Sequence, residues 1–421
     1  MKLKKIALYL LPIFIFTACS IKEPIVLNEK DLEVATKSAN DNFINQNEAA
    51  RDYLNKFFQP WQATKVSYTK IEAMWGLSYR FKKVYLENHQ IATKEWFDTQ
   101  IENANFNEYN TLLKKAITLN NTNVRVLPTS EPMFYDPTKP GEGFPFDYNQ
   151  NSLLKINSPI FVSHLSKDKA WAYIESSIVG GWVEINSIAF VDDNFINEFK
   201  SSNYYVSVKE KFPIYDPIFR EYIKLGTIFP KVYDKYLIAK NDENQNAQMV
   251  YIDLKDDEVS AFPLKYNIEN RIKISKQLLD EPYGWGGLLN NRDCSSFTQD
   301  FFTPFGKFLH RNSKAQTTNG KYLDISNLSN DEKKVFIKEN AIPFSTLVYL
   351  KGHIMLYIGI KNDEPLVMHN MWSVRLKDKW GNKYRHIVGK ATITTLEPGS
   401  DLTNFDKDNS ILKKIRGIVI L

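Results

Sequence analysis

Hydrophobic and polar residues follow different periods in different parts of this chain, and the changes of period divide it into segments. Over residues 31–120 the apolar positions recur at the spacing of an α-helix, as in the stretch 49–58, which Pro60 ends, and the stretch 110–119. The many aromatic side chains of this segment suit packing between helices better than binding of a ligand. We therefore predict a helical N-terminal domain that carries no chemistry of its own.

Short strand-like runs replace the helical pattern near Val124, and turn residues separate them. The first group of runs predicts a small closed β-barrel over residues 121–195, and the second group predicts another over residues 196–264. The two groups show no convincing residue-level repeat, so a duplication rests on pattern alone. The runs of the first barrel are 124–127, 160–162, 171–174 and 181–185, and those of the second are 204–208, 211–215, 227–229, 236–239 and 249–253.

The last segment, residues 265–421, combines both periods. Helical spacing in 270–279, and again after Cys294, predicts two helices. Strand-like runs follow at 346–350, 353–360, 365–370 and 411–421. A helix packed on a mainly antiparallel sheet makes this an α+β domain, and the fold class predicted for the whole chain is multidomain α+β.

The N-terminus has the pattern of an export signal. Three lysines precede an apolar run that is too short to span a bilayer, and Thr17-Ala18-Cys19 follows. Small residues before a cysteine resemble the lipobox of bacterial lipoproteins, although Phe16 stands where that motif usually has Leu. The resemblance implies a signal peptide over residues 1–18, lipidation of Cys19 and a tether over residues 19–30. A plain secretory signal with cleavage elsewhere is the alternative.

Composition and charge are those of a soluble protein, and the lipobox resemblance implies that it is exported to the periplasm. The chain is 43% hydrophobic and 24% charged, and its formal net charge of +5 falls to +2 without the predicted signal peptide. So small an excess gives no reason to expect nucleic acid as a partner. Ser20 after the lipidated cysteine implies, by the same resemblance, transfer to the outer membrane. We expect the protein to be a monomer and to be attached to the membrane by its lipid anchor.

The count of cysteines isolates one thiol. The chain has two cysteines, and lipidation would consume Cys19, so Cys294 is left without a disulfide partner. An unpaired thiol in an oxidising compartment is a liability unless it has a function. Cys294 follows a glycine-rich turn at the predicted start of a helix, whose dipole is expected to lower the pKa of the thiol and favour a nucleophilic thiolate. The alternative is a small buried cysteine that only fills the core.

Of the six histidines, two lie in or beside strand-like runs of the cysteine's own domain, where a side chain can reach a cleft. His353 opens one strand-like run, and His369 ends the next, sixteen residues later. Adjacent antiparallel strands can place both rings on one face, within reach of a thiol nucleophile. A cysteine with two imidazoles could instead bind zinc, but the CxxC and HExxH spacings common in zinc proteins are absent.

The order of these residues and the sequence around them resemble the NlpC/p60 family of bacterial cell-wall cysteine peptidases. The resemblance implies a helical N-terminal stabilising segment, two SH3-like β-barrels and a C-terminal papain-like α+β catalytic domain. The motifs that carry it are Tyr-Gly-Trp-Gly-Gly (283–287), Asp-Cys-Ser (293–295), Arg-Asn-Ser-Lys-Ala-Gln (311–316) and Gly-His-Ile-Met-Leu-Tyr-Ile-Gly (352–359) in the catalytic domain, and 125–129, 146–147 and 181–183 in the barrels.

By position in these motifs, the resemblance makes Cys294 the nucleophile, His353 the general base and His369 the residue that orients the base. It also implies a substrate site. In relatives specific for free stem peptides, four matching residues line the pocket for the N-terminal L-Ala and D-Glu: Trp285, Asp293, Ser295 and Ser313. No cofactor is implied.

The reaction that the resemblance implies is hydrolysis of the amide between γ-D-glutamate and a diamino acid in peptidoglycan stem peptides. Asp293 would pair with a free amine, so stems with a free N-terminal L-Ala are expected to be favoured. Barrel residues are expected to wall off the site, with Asp147 as a candidate. Ser296 and His310 stand where the family usually has Gly and Pro, and both are expected to flank the pocket. The competing interpretation is a catalytically inactive lipoprotein that binds peptidoglycan.

Overall fold

The computed structural model describes residues 45–201 and 203–421. The predicted signal peptide, the lipidation site Cys19 and the tether lie outside the described residues, as does the start of the predicted helical domain. Within the described ranges, no helix is both long enough and apolar enough to cross a membrane.

Short helices make up the N-terminal segment. Local capping sets one of them: Thr69 and Glu72 form a reciprocal capping box. The first helix turns Tyr53 and Phe57 toward the core of the C-terminal domain, so this segment braces the rest of the chain. The helices are α1 (Gln46–Phe57), α2 (Gln59–Gln62), α3 (Lys70–Ala73) and α4 (Lys94–Asn103), with 3₁₀ turns at Met74–Phe81 and Phe106–Glu108.

The first β domain is a seven-stranded antiparallel sheet in the order β3-β2-β6-β5-β4-β1-β7. Its core is formed by branched aliphatic side chains of neighbouring strands, among them Val124, Ile160 and Val183. The strands are β1 (Lys114–Thr118), β2 (Thr122–Arg125), β3 (Gln150–Leu154), β4 (Pro159–Leu165), β5 (Trp171–Ser176), β6 (Gly180–Glu184) and β7 (Ile188–Phe190).

The helix predicted at 110–119 is wrong, because this stretch contains strand β1. Ala116 and Ile117 are both fully buried, since β1 lies between β4 and β7 and packs on two faces. A strand buried on both faces reads as a continuous apolar run, which spacing cannot separate from a buried helix. Asn110 and Leu113 also adopt positive φ, which is incompatible with a helix. The first β domain therefore begins inside the segment predicted as helical.

The second β domain follows helix α5 (Asp193–Ser201), which the sequence pattern did not predict. Five strands form a sheet in the order β13-β12-β11-β8-β14, and β9 and β10 form a separate two-stranded ribbon. The boundary predicted between residues 195 and 196 thus falls inside α5. The strands are β8 (Asn203–Ser207), β9 (Phe212–Asp216), β10 (Ile218–Ile223), β11 (Ile228–Val232), β12 (Lys235–Asn241), β13 (Ala247–Ile252) and β14 (Val259–Ala261).

The C-terminal domain is a six-stranded antiparallel sheet in the order β15-β20-β16-β17-β18-β19. Helix α7 packs on β17 and β18, and each face of the sheet has its own hydrophobic cluster. The helices are α6 (Ile268–Leu278), α7 (Cys294–Phe302), α8 (Ser313–Gln316), α9 (Asn330–Asn340) and α10 (Ile411–Lys414), and the strands are β15 (Lys321–Asp324), β16 (Thr346–Leu350), β17 (His353–Lys361), β18 (Glu364–Lys377), β19 (Lys383–Thr395) and β20 (Ile415–Ile420).

This sheet is larger than the sequence pattern predicted. The run at 365–370 covers only the first part of β18, and β19 was missed because much of it is polar and partly exposed. The C-terminal run at 411–421 begins with the helical turn α10 before β20. The predicted multidomain α+β organisation, with a helical N-terminal segment, β domains in the middle and a C-terminal α+β domain, is confirmed.

Candidate active site

A tight turn at Gly286 and Gly287 precedes the candidate nucleophile and packs against the first β domain. Gly286 and Gly287 adopt φ values of 61° and 92°, which glycine enters without strain. A Cβ on Gly286 would lie 2.3 Å from the backbone oxygen of Gln150, so β3 approaches too closely for any side chain here. The Gln150 Nε2 group donates a hydrogen bond to the Gly286 carbonyl at 3.1 Å. The turn is thus fixed by a neighbouring domain.

Helix α7 begins with a complete cap that sets the position of Cys294. The Asp293 Oδ1 atom accepts hydrogen bonds from Ser295 N–H at 3.1 Å and Ser296 N–H at 2.8 Å. The Ser296 hydroxyl closes the box by accepting from Asp293 N–H at 2.9 Å. Cys294 is therefore the first residue of the helix, where a backbone N–H has no acceptor within the helix.

The expected lowering of the thiol pKa is wrong. Cys294 is only 8% exposed, and its burial raises the pKa of the thiol to about 12, with the Asp293 charge adding to the rise. Hydrogen bonds from the backbone N–H groups of Ile354 and Ser295 and the charge of Arg311 act in the opposite direction but are smaller. Cys294 is therefore a protonated thiol at rest, and it would need a base to act as a nucleophile.

The two histidines predicted for the site lie side by side on neighbouring strands. The His353 Nε2 and His369 Nδ1 atoms are 2.7 Å apart. His353 opens β17, and the next backbone N–H, that of Ile354, donates to the thiol sulfur of Cys294. This contact holds the start of β17 against the start of α7. His369 is fully buried, and its Nε2 atom lies 3.1 Å from the Thr394 Oγ1 atom on β19.

Both imidazoles are held in the neutral form. Burial lowers the pKa of His353 to about 4, although the charge of Asp293 acts to raise it. Burial, with a contribution from His353, also holds the pKa of His369 well below its ordinary value. At neutral pH the site is a thiol beside a neutral imidazole pair, which is the state in which an imidazole can act as general base.

A cavity of about 490 Å³ opens at Cys294, and three parts of the chain line it. The C-terminal domain contributes the turn and the start of α7. The first β domain contributes one wall, and the N-terminal helical segment contributes another. The lining residues outside the C-terminal domain are Tyr68, Glu72, Trp75 and Tyr79 from the helical segment and Val126, Tyr148, Gln150, Asn151, Tyr173, Ile178, Val179 and Gly180 from the first β domain.

The four residues predicted to bind substrate all line this cavity together with Cys294: Trp285, Asp293, Ser295 and Ser313. Trp285 packs against Tyr148 and Phe146 of the first β domain, with ring centroids 5.7 and 5.4 Å apart. The carboxylate of Asp293 is already well satisfied. Its Oδ2 atom accepts hydrogen bonds from Arg311 Nη2 at 2.8 Å and Gly286 N–H at 3.1 Å.

Of three other expectations for the pocket, the one for Asp147 differs from the structure. Asp147 is only 1% exposed and pairs with Arg125 inside the first β domain, so it does not line the cavity. Ser296 and His310 do not line the cavity, but each adjoins a residue that does, Ser295 and Arg311 respectively, so their place beside the pocket stays a prediction. Of the two residues that depart from the family pattern, Ser296 caps the start of α7 and His310 immediately precedes Arg311.

Sequence reasoning missed Arg311, which shares the pocket with the nucleophile. Its guanidinium bonds both oxygens of Asp293, the hydroxyl of Ser295 and, at 2.7 Å, the hydroxyl of Ser152 on β3. Burial disfavours both charges, but the charge and hydrogen bonds of Arg311 hold the pKa of Asp293 below its ordinary value. The signal in the sequence that could have pointed to Arg311 is its position directly after His310, which stands where the family usually has Pro.

The helical segment was also misjudged, because it was expected to carry no chemistry. Trp75 is 47% exposed and faces the cavity rather than a helix interface, and Glu72 adds a carboxylate to the same wall. No local pattern distinguishes these residues from packing aromatics and surface charges, since their role depends on contact with a domain far along the chain.

A buried ionic network fixes the segment just before the nucleophile. Arg292 is 1% exposed, and its guanidinium bonds Glu210 of the second β domain and Asp300 of α7, each at 2.6 Å. Lys155 of the first β domain bonds the other oxygen of Asp300 at 2.6 Å. Lys224 of the second β domain pairs with Glu210 at 3.3 Å. Both β domains therefore hold the nucleophile loop.

The alternative of a zinc site finds no support in the structure. Among the described residues, no group of three or more His, Cys, Asp or Glu side chains could hold a metal ion. The nitrogen atoms of His353 and His369 that face each other are joined by a hydrogen bond, so they do not converge on a common point with Cys294.

Comparisons with known proteins agree with this architecture. Residues 8–109 match the model of the N-terminal NlpC/P60 stabilising domain, residues 132–184 match an SH3 domain of the SH3b1 type, and residues 280–384 match the NlpC/P60 family. No curated protein matched the chain.

Two solved structures illustrate the range of similarity. An NlpC/P60 endopeptidase from Photobacterium damselae subsp. piscicida is 25% identical, with a TM-score of 0.84 over 95% of this chain and 98% of that one. An NlpC/P60 family protein from Bacillus cereus is 14% identical, with a TM-score of 0.45 over 72% of this chain and 98% of that one. The first shares the whole domain arrangement, and the matches identify the C-terminal domain of this chain as an NlpC/P60 domain that follows the family's N-terminal stabilising domain and an SH3 domain.

Proposed function

We propose that this protein is a peptidoglycan hydrolase, a cysteine endopeptidase that cleaves the amide between γ-D-glutamate and a diamino acid in cell-wall stem peptides. One observation carries the proposal: Cys294 begins α7 at a cavity, and the backbone N–H that its thiol meets is that of Ile354, the residue after His353, whose ring is hydrogen-bonded to His369. The match of residues 280–384 to the NlpC/P60 family supports it.

In the proposed mechanism, the neutral imidazole of His353 takes the proton of the Cys294 thiol as sulfur attacks the γ-carbonyl carbon. The carbonyl oxygen becomes an oxyanion, and the free backbone N–H of Cys294 donates to it. The imidazolium then gives its proton to the leaving amine, and a thioester with the glutamyl γ-carbonyl remains. Water hydrolyses the thioester, with His353 acting again as base, and the thiol is restored.

The charges in the cavity support a preference for stems with a free N-terminus. A γ-linked glutamate keeps its α-carboxylate, and Arg311 is a cation among the lining residues. A free L-Ala amine is a cation, and Asp293 and Glu72 are the lining carboxylates of the described chain. The ion pair of Asp293 and Arg311 at 2.8 Å presents opposite charges side by side, which complements an L-Ala-γ-D-Glu end.

We also propose that the protein is a monomer in the periplasm, anchored by lipid on Cys19, most simply to the outer membrane. The support is the sequence pattern before Cys19. In a bacterial expression host, the Cys19→Ala protein is expected in the soluble fraction and the unaltered protein in the outer-membrane fraction. Recovery of both in the same fraction would contradict the anchor.

Mass spectrometry of digests of defined tri- and tetrapeptides tests the activity. The wild-type protein is expected to release the diamino acid end from stems with a free N-terminus, and to act poorly on N-acetylated stems. The Cys294→Ala variant, checked for an unchanged melting temperature, is expected to release nothing. Unchanged turnover by this variant would overturn the enzyme. No turnover by wild type, together with retained binding to peptidoglycan, would favour an inactive wall-binding protein.

A further inference from the structure

The orientation of the hydrogen bonds behind the candidate base depends on one hydroxyl group outside the predicted triad. The Thr394 Oγ1 atom lies 2.7 Å from the backbone oxygen of Thr395 and 3.1 Å from the Nε2 atom of His369. A carbonyl oxygen can only accept, so the hydroxyl donates its single proton to Thr395. Toward His369 the hydroxyl can therefore act only as an acceptor.

That constraint passes along the chain of rings. Because Thr394 accepts, the proton of His369 must lie on Nε2, and the neutral ring then has a bare Nδ1. The bare Nδ1 atom of His369 accepts across the 2.7 Å contact, so His353 carries its proton on Nε2. The neutral His353 ring is left with a bare Nδ1, which is the nitrogen that would take the thiol proton in the proposed mechanism.

The opposite arrangement would disable the base. If the Thr394 hydroxyl donated to His369, the proton of His369 would move to Nδ1 and donate to His353. His353 would then carry its own proton on Nδ1 and could not accept one there from Cys294. Both arrangements satisfy the His353–His369 contact, so the contact alone does not choose between them. The carbonyl of Thr395 makes the choice through Thr394.

We propose that Thr394 is a positioning residue that sets the tautomers of His369 and His353 and so keeps a bare nitrogen on the base. The inference rests on the proposed function, since it gives His353 the role of base for Cys294. The proposal adds to the three predicted catalytic residues one positioning residue, which lies on β19, the strand that sequence reasoning missed.

The chain offers a matched control on the same strand. Thr392 is directly opposite His369 in the strand register, and it is as buried as Thr394, with 1% of its surface exposed. Its hydroxyl has no hydrogen bond to either imidazole among the contacts of the described residues. Replacing each threonine by valine removes a buried hydroxyl next to His369, and only the change at Thr394 removes a hydrogen bond to the ring.

The test measures tautomers and activity in the full-length protein. In ¹⁵N-labelled wild type, both rings are expected to carry the proton on Nε2, and the Thr394→Ser and Thr392→Val variants are expected to match it. In Thr394→Val, a population with protons on Nδ1 is expected, with kcat on a free stem peptide lowered about 10- to 100-fold and KM little changed. Alkylation of Cys294 by iodoacetamide at pH 7 is expected to slow in the same variant.

The outcomes separate this inference from the proposed function. Wild-type tautomers and wild-type alkylation in Thr394→Val would overturn the role of Thr394, whether or not the enzyme cleaves stem peptides. Equal losses in Thr392→Val, or no rescue by Thr394→Ser, would also overturn it, because a general packing defect would then explain the effect. If wild type cleaves no stem peptide but the tautomers and alkylation rates shift as expected, the substrate is wrong and the role of Thr394 stands.

Discussion

The two β domains serve the candidate site in different ways. The first lines the cavity with Tyr148, Gln150 and neighbouring residues, while none of the described residues of the second lines it. The second instead holds the nucleophile loop from behind, through Glu210 and Lys224. We call the first β domain the wall of the cavity and the second the clamp on the loop before Cys294.

The difference teaches how contact with substrate and support of the nucleophile can be separated. Changes in the clamp should affect stability and leave the choice of substrate alone. Changes in the wall should affect the binding of substrate and leave the stability of the fold nearly unchanged. The first β domain has a minor share in the clamp as well, through Lys155.

The largest effect is expected from breaking the clamp. Glu210→Gln leaves the buried guanidinium of Arg292 without one of its two carboxylates, which typically costs about 3–5 kcal/mol of unfolding free energy. Urea unfolding measures this. The matched control is Asp257→Asn, which removes the exposed pair with Lys209 and is expected to leave the free energy of unfolding almost unchanged, because solvent screens that pair. Equal costs for the two variants would contradict the clamp.

The next largest effect is expected from pH, through protonation of the candidate base His353. Neither β domain should alter the pH at which this protonation occurs. The pKa of His353 is about 4, so kcat/KM is expected to fall as pH drops through about 4. Both buried imidazoles are neutral in the folded state and have an ordinary pKa near 6.5 when unfolded. The unfolded chain therefore binds more protons between these values, and stability is expected to be lost as pH falls from about 6.5 toward 4.

The acid limb of the kcat/KM profile should lie at the same pH in wild type, Glu210→Gln and Tyr148→Leu. A limb near pH 6.5 in wild type would contradict the buried neutral pair. A limb that moves in only one of the variants would show that its β domain reaches the histidines.

A smaller effect is expected from the wall. Tyr148→Leu removes the aromatic contact with Trp285, and about 3- to 10-fold lower kcat/KM is expected, mainly through KM. Steady-state kinetics on a free stem peptide measure it, and thermal unfolding shows whether the fold is intact. A loss confined to kcat would place Tyr148 in the chemistry of the nucleophile and would break the division between wall and clamp.

The smallest effect is expected from the helical segment. Glu72 is exposed at the edge of the cavity, so Glu72→Gln should raise KM less than about 5-fold for stems with a free amine. Acetylated stems should show no change, because they lack the positive charge. An equal effect on both kinds of stem would mean that Glu72 does not meet the amine.

The sequence predicted the parts of the site that follow one another along the chain. The turn, the cysteine and the two histidines each have a local pattern, and strand spacing was enough to bring His353 beside His369. The fold class also followed from the change of period. These features depend on neighbours in sequence or on adjacent strands, which periodicity reports.

The rest depends on contacts between distant segments. In the sequence, Trp75 cannot be told from a packing aromatic, because only the fold brings it to the cavity. Thr394 lies in the buried half of β19, a strand that was missed because its first half is polar and partly exposed. The thiol pKa was misjudged for the same reason, because the helix dipole is a local feature whereas burial of Cys294 comes from β17 and the surrounding core. Local sequence carries no information on desolvation.

The most direct test of the central claim is the capture of the acyl-enzyme. Wild-type protein is mixed with L-Ala-γ-D-Glu-diaminopimelate, quenched in acid within milliseconds to seconds, and analysed by intact and peptide mass spectrometry. The account predicts a transient adduct with the mass of the L-Ala-γ-D-glutamyl group on the peptide that contains Cys294, and neither adduct nor product with Cys294→Ala. Product formation at the wild-type rate by Cys294→Ala would contradict it.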